Sequence, residues 1–253
     1  MSYSLGSDER LDYVNEKITL IQKNDGLTFG TDAFLLAAFA DAKPSGVAAE
    51  LGTGTGIISL LCVARERFSK IYAFEIQEDF ADLAQRNAEY NGFNDKLTVI
   101  CKDIRDCSSG DTEREVDAVF ANPPYMKTDS GKPNESDAKF IARHEVCGDI
   151  SDFCHTAASL LKYGGKFYCV YRPDRLVDLL DAMRKHKLEP KRMTAVHATM
   201  TSAPSMVLVE AKKGASPSLI LTRPLILTGE NGTETADIQR IYETCSFEEF
   251  LKR

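Results

Sequence analysis

The sequence predicts an α/β fold built on one doubly wound sheet, and three observations predict it. Short apolar runs alternate with stretches of helical character along most of the chain, the pattern that places strands in one sheet and helices on its faces. One early run leads into a loop with glycine at alternate positions, Glu50-Leu51-Gly52-Thr53-Gly54-Thr55-Gly56. Acidic residues then stand at the ends of three successive strands, at Glu50, Glu75 and Asp103. That edge is where open α/β sheets bind ligands. The alternation gives seven strands with no internal repeat and no separating linker. A single domain over residues 1–253 is therefore expected, with a short lead-in (1–45) and a C-terminal extension (214–253).

In chain order, residues 8–24 mix charged and apolar positions without a clean period, and Asp25-Gly26 is a turn signal. Phe29-Gly30-Thr31-Asp32 leads into a helix over Ala33–Ala40, with Thr31 or Asp32 as N-cap. Capping accounts for Asp32 by itself, and the helix start offers free N–H groups. Val47–Leu51 reads as a buried strand, followed by the glycine loop and a helix from Ile57 to about Phe68. Glycines let a backbone approach a ligand closely, because no Cβ intervenes. The GxGxG spacing differs from the GxGxxG of dinucleotide binders and suits an aminoacyl tail better than a pyrophosphate. Strand Ile71–Phe74 ends at Glu75, whose carboxylate can accept both hydroxyls of a ribose. A helix from Glu78 to Asn91 closes on Gly92. Strand Leu97–Cys101 precedes Asp103, placed to accept from an exocyclic adenine amine, with Ile104 or Ile76 to cover the ring.

Strand Val116–Ala121 then stops at Asn122-Pro123-Pro124-Tyr125. Each proline fixes its φ and lacks an N–H, so the corner is rigid and rich in acceptors. Asn122 adds a side-chain carbonyl and Tyr125 a flat face, which together suit a planar group bearing an NH2. The polar stretch Met126–Asp137 reads as a long loop over that face. Helix Ile150–Tyr163, strand Lys166–Tyr171, helix Asp174–Lys187 and strands Met193–His197 and Met206–Ala211 complete the alternation. Residues 214–233 are turn-rich, with short apolar runs at 218–221 and 225–227, and Glu234–Lys252 reads as helical.

Composition narrows the class. With 43% hydrophobic and 27% charged residues the chain has the balance of a globular protein, and no apolar run reaches the length of a membrane span. The N-terminus lacks the apolar core of a signal peptide. Seven cysteines form no CxxC pair and four histidines show no ligand spacing. A reduced, cytoplasmic, metal-free monomer is expected. The net charge of −7 argues against indiscriminate nucleic-acid binding. The densest basic patch is Arg184-Lys185-His186-Lys187 with Lys191-Arg192, preceded by Arg172 and Arg175. It can track an RNA backbone or simply be a solvated helix end.

Glu50–Gly56, Glu75, Asp103 and Asn122–Tyr125, in that order and spacing, resemble class I S-adenosylmethionine-dependent methyltransferases acting on amino nitrogens. Phe29-Gly30-Thr31-Asp32, Ala142-Arg143-His144-Glu145 and the stretch through Glu189-Pro190-Lys191-Arg192 narrow this resemblance to the bacterial valine-tRNA adenosine-37 N6-methyltransferase group. The resemblance implies a seven-stranded Rossmann-like sheet, mostly parallel with an antiparallel last strand and helices on both faces. It implies S-adenosyl-L-methionine as cofactor and a tRNA as substrate. Cofactor-binding residues are then Phe29, Thr31, Glu50, Gly52, Thr53, Gly54, Gly56, Glu75, Ile76, Asp103, Ile104 and Asn122; Asn122, Pro123, Pro124 and Tyr125 hold the target base. Release-factor glutamine methyltransferases share Asn-Pro-Pro-Tyr but carry a helical domain ahead of the glycine loop, and only 49 residues precede Glu50 here. Ribosomal-RNA guanine methyltransferases, which resemble an Asn-Pro-Pro-Phe version, are a second alternative. A catalytically silent cofactor- or RNA-binding protein is a third.

Overall fold

The computed structural model describes residues 5–24, 29–123 and 148–251. Its chain opens with an antiparallel hairpin, β1 (Glu9–Asn15) and β2 (Ile18–Lys23), where the sequence offered no period. β2 is buried nearly throughout and β1 only partly, so neither strand alternates cleanly. Charge pairs fix the hairpin: Arg86 reaches Glu9 at 2.7 Å and Lys23 reaches Asp8 at 2.9 Å. Helix α1 (Thr31–Phe39) follows, and its N-cap is the extended Gly30 rather than Thr31 or Asp32.

The main sheet holds β3 (Lys43–Leu51), β4 (Phe68–Glu75), β5 (Leu97–Cys101), β6 (Val116–Ala121), β7 (Leu161–Tyr171), β8 (Leu188–His197) and β9 (Pro204–Lys213). Between them lie α2 (Ile57–Ala64), α3 (Glu78–Tyr90), α4 (Ile150–Leu160) and α5 (Leu176–Lys185). β5, β4, β3, β6 and β7 are parallel neighbours in that order, and β9 inserts antiparallel between β7 and β8. The seventh strand is thus the antiparallel one, as expected. Seven strands is nevertheless too few. Two short strands, β10 (Ile220–Leu221) and β11 (Leu225–Ile226), pair in parallel with the free side of β8 and make nine. They come from the two apolar runs of the C-terminal extension, which ends in α6 (Ala236–Thr244) and α7 (Glu248–Leu251).

Several element boundaries move: β3 begins at Lys43 and not Val47, and β8 at Leu188 and not Met193. α2 stops at Ala64 because Glu66 takes a left-handed φ of 52°, and Phe68 belongs to β4. α4 stops at Leu160, since β7 already begins at Leu161 and reaches regular pairing after an irregular step near Lys166.

Strand periodicity sends alternate side chains to opposite faces. Ala48, Ala118 and Phe120 pack into a core with α1, α2 and α6, while Val47, Ala49, Leu51, Val119 and Ala121 pack with α4 and α5. A buried cation and a half-buried one stitch the first face together. Arg67 donates to the carbonyls of Cys245 (2.6 Å), Ala38 (3.3 Å) and Ala40. Arg192 pairs with Glu210 at 2.6 Å and Asp41 at 3.1 Å, donates to Phe39 O and lies 4.3 Å above the Phe39 ring. The C-terminal end of α1 is therefore pinned, and its N-terminal end is left at the carboxyl edge of the sheet.

Candidate functional site

β3 and β6 are adjacent, with Leu51 paired to Ala121 on one side and to Phe74 on the other. The chain steps from β3 to β4 and β5 in one direction and to β6 in the other, so the sheet's switch point lies between β3 and β6. Loops leaving the carboxyl ends of such strands diverge and open a crevice.

The loop after β3 is bent by its glycines. Gly52, Gly54 and Gly56 have φ values of 72°, 56° and 85°, a region in which a side chain is strained. Gly52 and Thr53 N–H donate to Phe74 O at 2.9 and 3.0 Å, Gly54 N–H to Glu75 Oε2 at 2.9 Å, and Gly56 N–H to Thr53 O at 3.0 Å. Their surroundings differ. A Cβ on Gly52 would lie 3.6 Å from Phe153 and one on Gly56 would lie 3.4 Å from Ala84 Cβ, whereas one on Gly54 meets nothing within 4 Å. The middle of the loop is an open cradle between two packed shoulders.

The three acids differ in exposure and in partners. Glu50 is 1% exposed; its Oε2 accepts from Thr53 Oγ1 (2.8 Å), Ser59 N–H (3.1 Å) and Ser59 Oγ. Burial pushes its carboxyl up to about 7, against the pull of those donors. Glu50 thus holds the loop against the start of α2. Glu75 accepts from Gly54 N–H through Oε2 and from Gln77 N–H through Oε1 (3.0 Å). Asp103 lies within hydrogen-bond reach of the Arg105 guanidinium and accepts from Arg105 N–H, and that pairing holds its carboxyl below the usual range.

Ile76 is half-buried beside Glu75. Ile104 is 4% exposed in the second core, and its carbonyl accepts from Thr156 Oγ1 at 2.8 Å, so of the two isoleucines Ile76 faces the edge more openly. Phe29 and Thr31 line a cavity of about 390 Å³ with Val14, Asn15, Phe34 and Tyr242, on the side of α1 facing α6. Phe29 stacks obliquely on Phe34 and Phe34 meets Tyr242 edge-on.

At the end of β6, Asn122 is half-buried and Pro123 buried. Asn122 Nδ2 donates to Asp32 Oδ2 at 2.7 Å, joining two motifs that lie 90 residues apart. Pro124, Tyr125, the 126–137 loop and Ala142–Glu145 lie outside the described residues.

Sequence reasoning missed three residues that shape this edge. Asp32 was fully accounted for as a cap, yet it meets Asn122. Ser59 is a polar side chain in an otherwise apolar helix, a signal that could have pointed to Glu50. Asn87 is fully buried in α3; its side chain pairs with both backbone groups of Ile21 and donates to Thr55 O at 3.0 Å, tying the hairpin to the glycine loop. An asparagine in mid-helix is a poor helix former and could have been flagged on that ground.

Residues 23–186 match the Methyltransferase small domain family. The chain belongs to this family. Among relatives, a tRNA1(Val) (adenine(37)-N6)-methyltransferase of Phocaeicola vulgatus is 31% identical over 78% of this chain and 82% of its own. One with the same name from a Flavobacteriaceae bacterium is 25% identical over 93% of this chain and 97% of its own. Among solved structures, a predicted O-methyltransferase from Agrobacterium tumefaciens superposes with a TM-score of 0.69 at 22% identity, covering 85% of this chain and 97% of that one. The last likeness concerns the fold alone.

Proposed function

We propose that this protein transfers a methyl group from S-adenosyl-L-methionine to the exocyclic N6 amine of an adenine in tRNA, at adenosine-37 of a valine tRNA. The observation that carries the reading is the acceptor corner Asn122–Pro123, ending β6 at the switch point beside the glycine loop. The names of the relatives favour adenine in tRNA over a protein glutamine or a ribosomal guanine.

The donor set fits the cofactor. Gly54 leaves open space where a Cβ would stand, so the loop backbone can approach an aminoacyl tail closely. A carboxylate has more lone pairs than the two N–H donors on Glu75 occupy, so Glu75 can still accept from ribose hydroxyls. Ile76 covers the adenine ring, Asp103 accepts from its amine at the rim, and Glu50 keeps the loop in shape from beneath. When bound, the cofactor supplies a methyl group on a positively charged sulfur that is already reactive toward a nitrogen lone pair.

The chain's own work is done on the amine. The adenine N6 lone pair is delocalised into the ring, which makes the nitrogen a poor nucleophile. The Asn122 side-chain oxygen and the Pro123 carbonyl accept its two hydrogens and favour a pyramidal nitrogen with its lone pair localised. Alignment for in-line transfer then provides most of the acceleration, and the proton that the nitrogen sheds on taking the methyl group leaves past its acceptors to water, so no strong base is required. Tyr125 is assigned the stacking face for the base, a contact worth about 1–3 kcal/mol.

The test is methyl transfer from labelled S-adenosylmethionine to an unmodified valine-tRNA transcript, followed by mass spectrometry of nucleosides. N6-methyladenosine should form, and a transcript with guanosine at position 37 should not be methylated. A protein that binds the cofactor yet yields no N6-methyladenosine, or that methylates a glutamine-containing peptide instead, would overturn the reading.

A further inference from the structure

We infer that Asp32 is a positioning residue for the methyl transfer: its carboxylate orients the Asn122 side chain and strengthens its acceptor oxygen. The inference rests on the reading that Asn122 accepts a hydrogen from the target amine.

A primary amide has two similar ends, one donating and one accepting, and a flip of half a turn exchanges them. Only the accepting end serves an amine whose hydrogens must be held. Asp32 removes the ambiguity. A carboxylate accepts and does not donate, so the group 2.7 Å from Asp32 Oδ2 is the Asn122 nitrogen, and Oδ1 is turned to the other side. The same contact has an electronic effect. A negative charge accepting from the amide N–H shifts electron density toward the amide oxygen, because hydrogen bonds in a chain polarise one another. As methyl transfer proceeds, positive charge develops on the amine, and an acceptor with greater negative character holds it more tightly.

Asp32 is itself held for this task. It occupies the first turn of α1, and its Oδ1 accepts from Ala33 N–H at 3.0 Å, which leaves Oδ2 for Asn122. The far end of α1 is fixed through Asp41, whose carboxylate meets Arg192 and Lys166 and whose N–H donates to Tyr168 Oη at 3.1 Å. Capping does not explain Asp32, because the N-cap is Gly30.

The test is a double-mutant cycle on single-turnover methyl transfer to the valine-tRNA transcript at saturating cofactor. It compares wild type, Asp32→Ala, Asn122→Ala and the double variant, with thermal unfolding and calorimetric cofactor binding on each. Asp32→Ala should slow transfer about 10- to 100-fold with little change in the apparent KM for tRNA, and Asn122→Ala about 10²- to 10³-fold. The double variant should be no slower than Asn122→Ala alone, because a residue acting through Asn122 has nothing to act on once the amide is gone. Losses that multiply in the double variant, or a wild-type rate in Asp32→Ala, would overturn the inference. A wild-type rate in Asn122→Ala would instead overturn the functional reading on which it rests. If Asp32→Ala fails to fold, Asp32→Asn serves in the same cycle: it keeps the shape but loses the charge, so an intermediate loss confined to the Asn122 background is expected.

Discussion

At the scale of single residues, the contact between Asp32 and Asn122 joins two motifs that stand far apart in the chain. Glu50, Glu75 and Asn122 could be picked out because each stands at the end of an apolar run. Glu50 is met from three and nine residues away and Glu75 from two and 21, whereas Asp32 meets Asn122 across 90 positions that no local pattern spans. Glu50 yields a prediction at this scale. Its carboxyl, raised to about 7 by burial, holds a proton in the folded state that it would lose in the unfolded chain near its ordinary value of 4.5. Its stabilising contribution is therefore complete below about 4.5 and is lost as pH rises through about 7. In Glu50→Gln this pH dependence should disappear. The stability of the wild type minus that of Glu50→Gln, measured without cofactor by denaturant unfolding, should fall by roughly 2–4 kcal/mol across that interval. A difference that stays flat with pH would mean the carboxyl is ionised throughout.

At the scale of elements, strands with two buried faces and helices with clean stops were readable, and ends set by a single backbone angle were not. Glu66 at φ 52° shortens α2 by several residues, yet glutamate gives no sign of that conformation in the sequence. The hairpin escaped notice because β1 lies half-exposed and its charged residues are absorbed by Arg86 and Lys23. The glycine loop was recognised, but its three glycines are not equivalent. Gly54→Ala and Gly56→Ala both place a side chain at positive φ, at about 1–2 kcal/mol each. Gly56→Ala sets its methyl group in van der Waals contact with Ala84, away from the open cradle, so it should lower the unfolding temperature and leave cofactor binding nearly unchanged. Gly54→Ala adds its methyl group to open space and should instead weaken S-adenosylmethionine binding by tenfold or more, read by calorimetry. If both variants bind the cofactor as wild type does, the cradle is not where the cofactor lies.

At the scale of the whole molecule, a mostly parallel sheet with an antiparallel last strand was anticipated, and the two strands that the C-terminal extension adds beside β8 were not. Two-residue strands carry no periodicity to read. The basic segment also changes meaning. Arg192 is engaged in an ion-pair network, Arg184 faces Glu189 at 3.3 Å, Lys185 faces Asp181 at 2.7 Å, and Lys191 donates to Ser216 and Ser218. The ladder aligns Glu189 with Lys212, Lys166 and Ala118, four residues before Asn122, so the segment preceding it lies toward the amino end of the parallel strands. Arg172 and Arg175 follow β7 at the carboxyl edge instead. Replacing Lys185 and Lys187 with alanine should leave the salt dependence of tRNA binding unchanged. Replacing Arg172 and Arg175 should flatten it by about one log-log unit per lost phosphate contact. Fluorescence anisotropy across a salt series separates the two, and the opposite pattern would move the RNA to the far edge.

The guanidinium of Arg67 joins Ala38 and Ala40 to Cys245, and Phe39 packs edge-on against Phe247 at 5.4 Å. Residues 38–40 thus complete their packing only with residues 245–247. Without residues 245–247 the apolar side of α1 loses part of its cover and the Arg67 cation a partner, leaving the kind of exposed surface that chaperones and proteases engage. A message cut short before α6 would yield a polypeptide with every residue of the glycine loop and the Asn122 corner but without the cover that closes the fold. Packing of α1 against residues 245–247 is therefore a condition of the fold itself and not an ornament added after it.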